Sequence, residues 1–147
     1  MKKIAIITGA NKGLGLSVAQ RLINNNYKVV LACRDKTKGE KAQNFLGEDA
    51  TFLELNLANL KSIETFTNEI SKRYDGIDIL YNNAGLIYKD FELTEEGFES
   101  MISVNYFGSY RLTLKLLDNL RENHGRMVQV SSLSMYLARK FSTENLH

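Results

Sequence analysis

The stretch KIAIITGANKGLG, residues 3–15, constrains the fold more than any other part of the chain. Its first six residues, 3–8, form a nearly continuous apolar run of the kind buried on both faces of a parallel sheet. Gly9, Gly13 and Gly15 follow, and an amphipathic helix is predicted from about Leu14 to Asn25. Their spacing gives each glycine a task. Gly9 permits the sharp turn out of the strand, Gly13 lets the backbone approach a pyrophosphate, and Gly15 lets the helix pack close to the sheet. The free N–H groups and positive dipole end of the helix would then face an anion. A phosphate loop of the Gly-Lys-Ser/Thr type is excluded, because Lys12 precedes Gly13. A glycine turn without a ligand is the alternative.

The rest of the chain repeats the alternation. Strands are predicted at 28–33, 51–57, 77–82 and 125–132. Between them lie a helix ending near Gly47, a helix over 59–74 and a long helical stretch over 94–120, read as a short helix running into a longer one. In the 59–74 segment Ile63, Phe66, Ile70 and Tyr74 recur at helical spacing. Apolar strands alternating with helices predict an α/β fold: a doubly wound parallel sheet in the order 3-2-1-4-5. No linker or repeat interrupts the 147 residues, so one dinucleotide-binding domain over 1–147 is expected. At 44% hydrophobic, a chain of this length buries roughly 70% of its unfolded surface.

Charge and composition remove several functions. A net charge of +2, with basic residues scattered among acids, argues against nucleic-acid and membrane-surface roles. The N-terminus passes from MKK directly into an apolar strand, too short for a signal peptide, so a cytoplasmic address is expected. Cys33 is the single cysteine, and with His124 and His147 as the only histidines no metal-ligand spacing exists. Proline is absent from the sequence, which agrees with regular strand–helix alternation.

The second strand ends in LACRD, residues 31–35. In dinucleotide folds an acid at this point accepts hydrogen bonds from the adenosine ribose and selects NAD. Here Cys33 stands in the acid's place and Arg34 follows, so a 2'-phosphate would meet a guanidinium, with Lys12 close by. NADPH is therefore favoured over NADH. Two other readings stand beside it: Asp35 acting as the ribose acid one position late, and Arg34 as an ordinary surface residue.

Taken together, the motifs resemble the short-chain dehydrogenase/reductase family. TGANKGLG (8–15) is similar to its cofactor pattern TGxxxGxG, and NNAG (82–85) to its signature after the fourth strand. VNYFG (104–108) resembles the segment with the family's active-site asparagine, which falls on Asn105, and GRMVQVSS (125–132) the strand with its serine, which falls on Ser132. The resemblance implies cofactor contacts from Thr8, Gly9, Asn11, Lys12, Gly13, Leu14, Gly15, Arg34, Asn56, Leu57, Asn83, Ala84 and Gly85. LACRD and VSSLS bring the chain nearest the retinol dehydrogenase-like, protochlorophyllide reductase-like and carbonyl reductase-like branch, which implies NADPH and a small carbonyl or alcohol substrate. One departure is Asn56, where the family usually carries aspartate against the adenine edge. The expectation is that its amide oxygen still accepts from the adenine amino group while Leu57 N–H donates.

Hydride transfer to a carbonyl leaves an alkoxide that needs a hydrogen bond and a proton. Ser132, at the carboxyl end of a strand, suits the first need, although a serine pair that merely ends a strand is the plainer alternative. Asn105, a poor helix former inside a helical stretch, has by resemblance the role of kinking the helix and binding a water that leads to a lysine. The proton calls for a Tyr-x-x-x-Lys, and Tyr136 and Lys140 have that spacing. Only three residues separate Ser132 from Tyr136, whereas the family's tyrosine lies much farther on, so this pair reads as a decoy. The resemblance covers the N-terminal half of the family's fold, and a chain truncated after the fifth strand is expected. The runner-up is a non-catalytic NADP(H)-binding module. The family often pairs through helices, which leaves a homo-oligomer open.

Overall fold

In a computed structural model that describes residues 2–88 and 90–133, the chain forms a five-stranded parallel sheet in the order β3-β2-β1-β4-β5. The strands are β1 (Lys3–Thr8), β2 (Tyr27–Cys33), β3 (Ala50–Glu54), β4 (Ile79–Asn82) and β5 (Arg126–Gln129). Helix α1 (Gly13–Asn24) follows β1, α2 (Lys36–Leu46) follows β2 and α3 (Leu60–Arg73) follows β3. The strand order is the one the alternation predicts. Sheet and helices bury two apolar layers. Ala5, Ile7, Val29 and Leu31 face the side packed with Ala19 and Ala42 of α1 and α2. Ile6, Val30, Ala32 and Leu80 face Ile63, Phe66 and Ile70 of α3, together with Leu112, Leu116 and Leu120. Burial on both faces explains why β1 and β2 read as apolar runs rather than as alternating ones.

Between β4 and β5 the helical stretch is shorter and more broken than predicted. Residues 94–99 form a tight turn in which Thr94 N–H donates to Phe98 O and Gly97 N–H to Thr94 O. Gly97 has φ +80°, a value that stops a helix from starting there. Helix α4 (Ser100–Ile102) begins only where the Glu99 carboxylate caps the N–H groups of Met101 and Ile102, each at 2.8 Å. A π-helical segment, Ser103–Gly108, follows, then α5 (Ser109–Lys115) and α6 (Leu117–Glu122). Glu96 ties the turn to its surroundings: it accepts from Leu60 N–H at 2.7 Å, opening α3, and pairs with Arg111 at 3.1 Å.

Two strands also end early. β3 stops at Glu54 rather than at residue 57, because Asn56 turns the chain with its own side chain. β5 stops at Gln129 rather than at residue 132; just beyond it Val130 N–H bonds Asn82 O of β4 at 3.0 Å. All four residues of β5 are exposed, since the strand lies at the sheet's edge. Among the described residues no helix is long and apolar enough to cross a membrane, and no group of acids, histidines and cysteines is placed to hold a metal.

Candidate functional site

A cleft of about 510 Å³ lies at the carboxyl ends of the central strands, where ligands of open parallel sheets bind. Its walls include Thr8, Asn11, Leu14, Arg34, Asn83, Ala84 and Gly85. The junction of β1 and β4 fixes its centre. The Thr8 hydroxyl accepts from Asn83 N–H at 3.0 Å and from Ala84 N–H at 2.9 Å, and Asn83 Nδ2 donates to Thr8 O at 3.0 Å. These bonds join residues 75 or 76 apart in sequence and hold the two loops as one unit.

Against this unit α1 makes an unusually close approach. A Cβ on Gly15 would stand 2.6 Å from Gly9 O and 2.7 Å from Asn83 Nδ2, so only glycine lets the helix sit here. The cap of α1 also differs from those of its neighbours. Asp35 caps α2 and Asn59 caps α3 through side-chain oxygens, whereas Lys12 at the start of α1 makes no such bond. The first-turn N–H groups of α1 are thus left for a ligand, at the positive end of the dipole. Gly13, with φ +54° and open space where a Cβ would be, presents bare backbone to that ligand.

At the end of β2 the structure separates residues that are adjacent in the sequence. Cys33 is buried, and burial, followed by the nearby charges of Asp35 and Glu54, pushes its thiol up to about 11. It is an inert wall of the cleft. Arg34 is exposed on the cleft rim. Asp35 turns back to cap α2, accepting Lys38 N–H at 2.9 Å and pairing with Lys38 Nζ at 2.8 Å. The Lys38 side chain and then its N–H hold the Asp35 carboxyl below the usual carboxylate range. Lys38, which the sequence reading missed, joins Lys12 and Arg34 on the cleft wall. Its signal was its place one helical turn after an N-capping aspartate.

Beyond β3, Asn56 and Leu57 line the cleft from a turn rather than from a strand. Asn56 Oδ1 accepts Ala58 N–H at 3.1 Å, and Asn56 N–H donates to Ser62 Oγ at 2.9 Å. The amide oxygen expected to meet the adenine amino group is thus already an acceptor within the turn.

Asn105 lies within the π-helical segment Ser103–Gly108. Its amide grips one residue twice, with Oδ1 accepting Leu86 N–H and Nδ2 donating to Leu86 O, both at 2.9 Å. Leu86 lines the cleft, as does Tyr88, so Asn105, which does not itself line it, positions part of the wall. Ser132 is exposed, three residues beyond the end of β5, and does not line the cleft. Tyr136 and Lys140 lie outside the described residues.

The family model for short chain dehydrogenase matches residues 3–141. The chain belongs to the short-chain dehydrogenase family. Among curated proteins it is 40% identical to mouse retinol dehydrogenase 11 over 93% of its own length, and 33% identical to mouse retinol dehydrogenase 14 over 99%. It covers 45% and 48% of those two proteins, so the chain spans about half the length of the curated relatives it matches. Among solved structures, an uncharacterised protein of Mycobacterium paratuberculosis superimposes with a TM-score of 0.79 at 36% identity, covering 90% of this chain and 47% of that one. An alcohol dehydrogenase from the archaeon Thermococcus sibiricus, complexed with 5-hydroxy-NADP, gives 0.75 at 33% identity, covering 85% of this chain and 56% of that one. The short-chain dehydrogenases are oxidoreductases that bind NAD(P), and the cleft of this chain has the glycine loop and open helix terminus such a cofactor needs.

Proposed function

We propose that this chain is the cofactor-holding part of an NADP(H)-dependent oxidoreductase that interconverts a carbonyl and an alcohol on a small molecule. The observation that carries the cofactor choice is the capture of Asp35 by Lys38. An acid free at the end of β2 would take the ribose hydroxyls and repel a 2'-phosphate. Here Asp35, the one acid lining the cleft among the described residues, caps α2 and is matched by a lysine, and Arg34 and Lys12 stand on the cleft wall with no ion pair among the described residues. That balance favours a phosphorylated ribose. The Thermococcus neighbour, complexed with 5-hydroxy-NADP, supports the same choice.

The first turn of α1 would hold the pyrophosphate, and Gly13 would let it approach. Asn83, Ala84 and Gly85 would meet the cofactor between β1 and β4, with Leu86 and Tyr88 beyond them toward the reacting end. Nicotinamide, when bound, supplies or accepts the hydride. Asn105 holds the backbone beside that end through Leu86. By its likeness to the family's serine, and although it does not line the cleft, Ser132 is the group proposed to donate to the carbonyl oxygen as it gains negative charge. The relatives' names point to an alcohol or its carbonyl as substrate.

Binding tests this directly. Titration with NADPH and NADH, followed by cofactor fluorescence, is expected to give at least tenfold tighter binding of NADPH, about the worth of one charge-assisted phosphate pair. Arg34→Ala should remove most of that preference. Equal affinity for the two cofactors, or a preference untouched by Arg34→Ala, would refute the assignment.

A further inference from the structure

The Asn56 turn carries an inference that deepens the NADP(H) reading and rests on it. A pyrophosphate at the start of α1 and a ribose at the end of β2 place the purine one strand farther out. In the order β3-β2-β1 that is the end of β3, where Asn56 and Leu57 line the cleft. Three bonds lock the turn: Asn56 N–H to Ser62 Oγ at 2.9 Å, Ala58 N–H to Asn56 Oδ1 at 3.1 Å, and Asn59 N–H to Asn56 O at 3.1 Å. The second also fixes which way the amide points. A backbone N–H bonds only to an acceptor, so the atom facing Ala58 is the oxygen and the other corner of the amide is NH₂.

Asn56 Nδ2 and Leu57 N–H take no acceptor among the described residues, and both residues line the cleft. Both donors belong to residues of this rim. Adenine presents a donor, its 6-amino group, next to an acceptor, N1. An aspartate at this position would answer that pattern, keeping one oxygen on Ala58 and turning the other to the 6-amino group. An asparagine held in this orientation does not.

We propose that Asn56 is a base-specificity residue that sets its amide NH₂ against position 6 of the cofactor's purine, so that the chain gives up the usual bond to the 6-amino group and discriminates less against a 6-oxo purine than an aspartate here would. The Leu57 N–H faces N1 in either case, and its preference for unprotonated N1 is common to every variant at residue 56.

The test compares NADP with its 6-deamino analogue, nicotinamide hypoxanthine dinucleotide phosphate, by calorimetric titration of the whole chain and of Asn56→Asp. The ratio of the two dissociation constants is taken on each protein, so a change in stability or in Leu57 cancels. Replacing a donor opposite position 6 by a carboxylate oxygen is expected to raise the preference for adenine about tenfold or more over wild type, the scale of one hydrogen bond to a charged group. A ratio the same in both proteins overturns the inference, because it means that the wild-type side chain already presents oxygen or does not reach position 6. Binding of NADP with that result leaves the NADP(H) reading intact. Failure of either protein to bind either dinucleotide overturns both.

Discussion

Replacing Thr8 by valine tests how the site is held together while hardly changing a side chain's shape. Thr8 is fully buried at the end of β1, and its hydroxyl accepts from two backbone donors, Asn83 N–H and Ala84 N–H. Valine keeps the volume and removes the acceptor. A buried donor left without a partner costs about 1–3 kcal/mol. Asn83 and Ala84 are half-buried, so water recovers part of this, and about 2–4 kcal/mol for the pair is the expected loss. For a domain of this size that lowers Tm by about 6–14 °C. Thr8→Ser is the control: it keeps the acceptor and loses one methyl, at about 1 kcal/mol. Thermal melts followed by circular dichroism, alongside NADPH titration, should rank wild type above serine and serine above valine in both stability and affinity. A valine variant as stable as the serine one would show that the hydroxyl does not join β1 to the loop after β4.

Two further outcomes follow from the same geometry. Gly15→Ala would drive a Cβ to 2.6 Å from Gly9 O, and the shift of α1 needed to relieve it should cost about 1–3 kcal/mol despite alanine's better helix propensity, read as a lowered urea midpoint; an unchanged midpoint would refute the close approach. Asp35, with its folded pKa lowered by Lys38, lends α2 a stability that is present above the unfolded carboxylate range and lost as pH falls through the folded value. The Tm gap between wild type and Asp35→Ala should therefore be open at about pH 6 and narrow below about pH 4, and a gap that stays constant through the acid range would count against it.

Much of the architecture was legible because it follows from two periodicities and three glycines. Ala5, Ile6, Ile7, Val29, Val30 and Leu31 are apolar without alternation, which only a sheet covered on both faces requires. The cleft could be located because Gly9, Gly13 and Gly15 each answer a steric demand. What could not be read was where side chains spend their hydrogen bonds. Asp35 looked available to a ribose until Lys38 took it, and Asn56 looked like a strand residue until its oxygen closed a turn on Ala58. Thr8 gave no hint of its partners, which lie 75 and 76 residues away. The 94–99 segment has helix-forming glutamates, yet Gly97 and the pull of Glu96 toward Leu60 and Arg111 fold it into a turn. Local propensity loses there to tertiary contacts.

The stretch from α4 to α6 buries a stripe of Ser100, Val104, Gly108, Leu112, Leu116 and Leu120 at every fourth position, with Ser103 and Ser109 buried beside it. An α-helix of 3.6 residues per turn cannot keep such a stripe on one side, since each step of four overshoots a full turn by about 40°. Over the whole run the overshoot would reach about 200° and carry the last leucines away from the sheet. The wide turn at Ser103–Gly108 and the break at Leu116 are where this phase error is taken up. They act as an escapement, holding Asn105 against Leu86 while the leucines below stay seated on the core. Deleting one residue within the wide turn would straighten the helix and throw its two ends out of step.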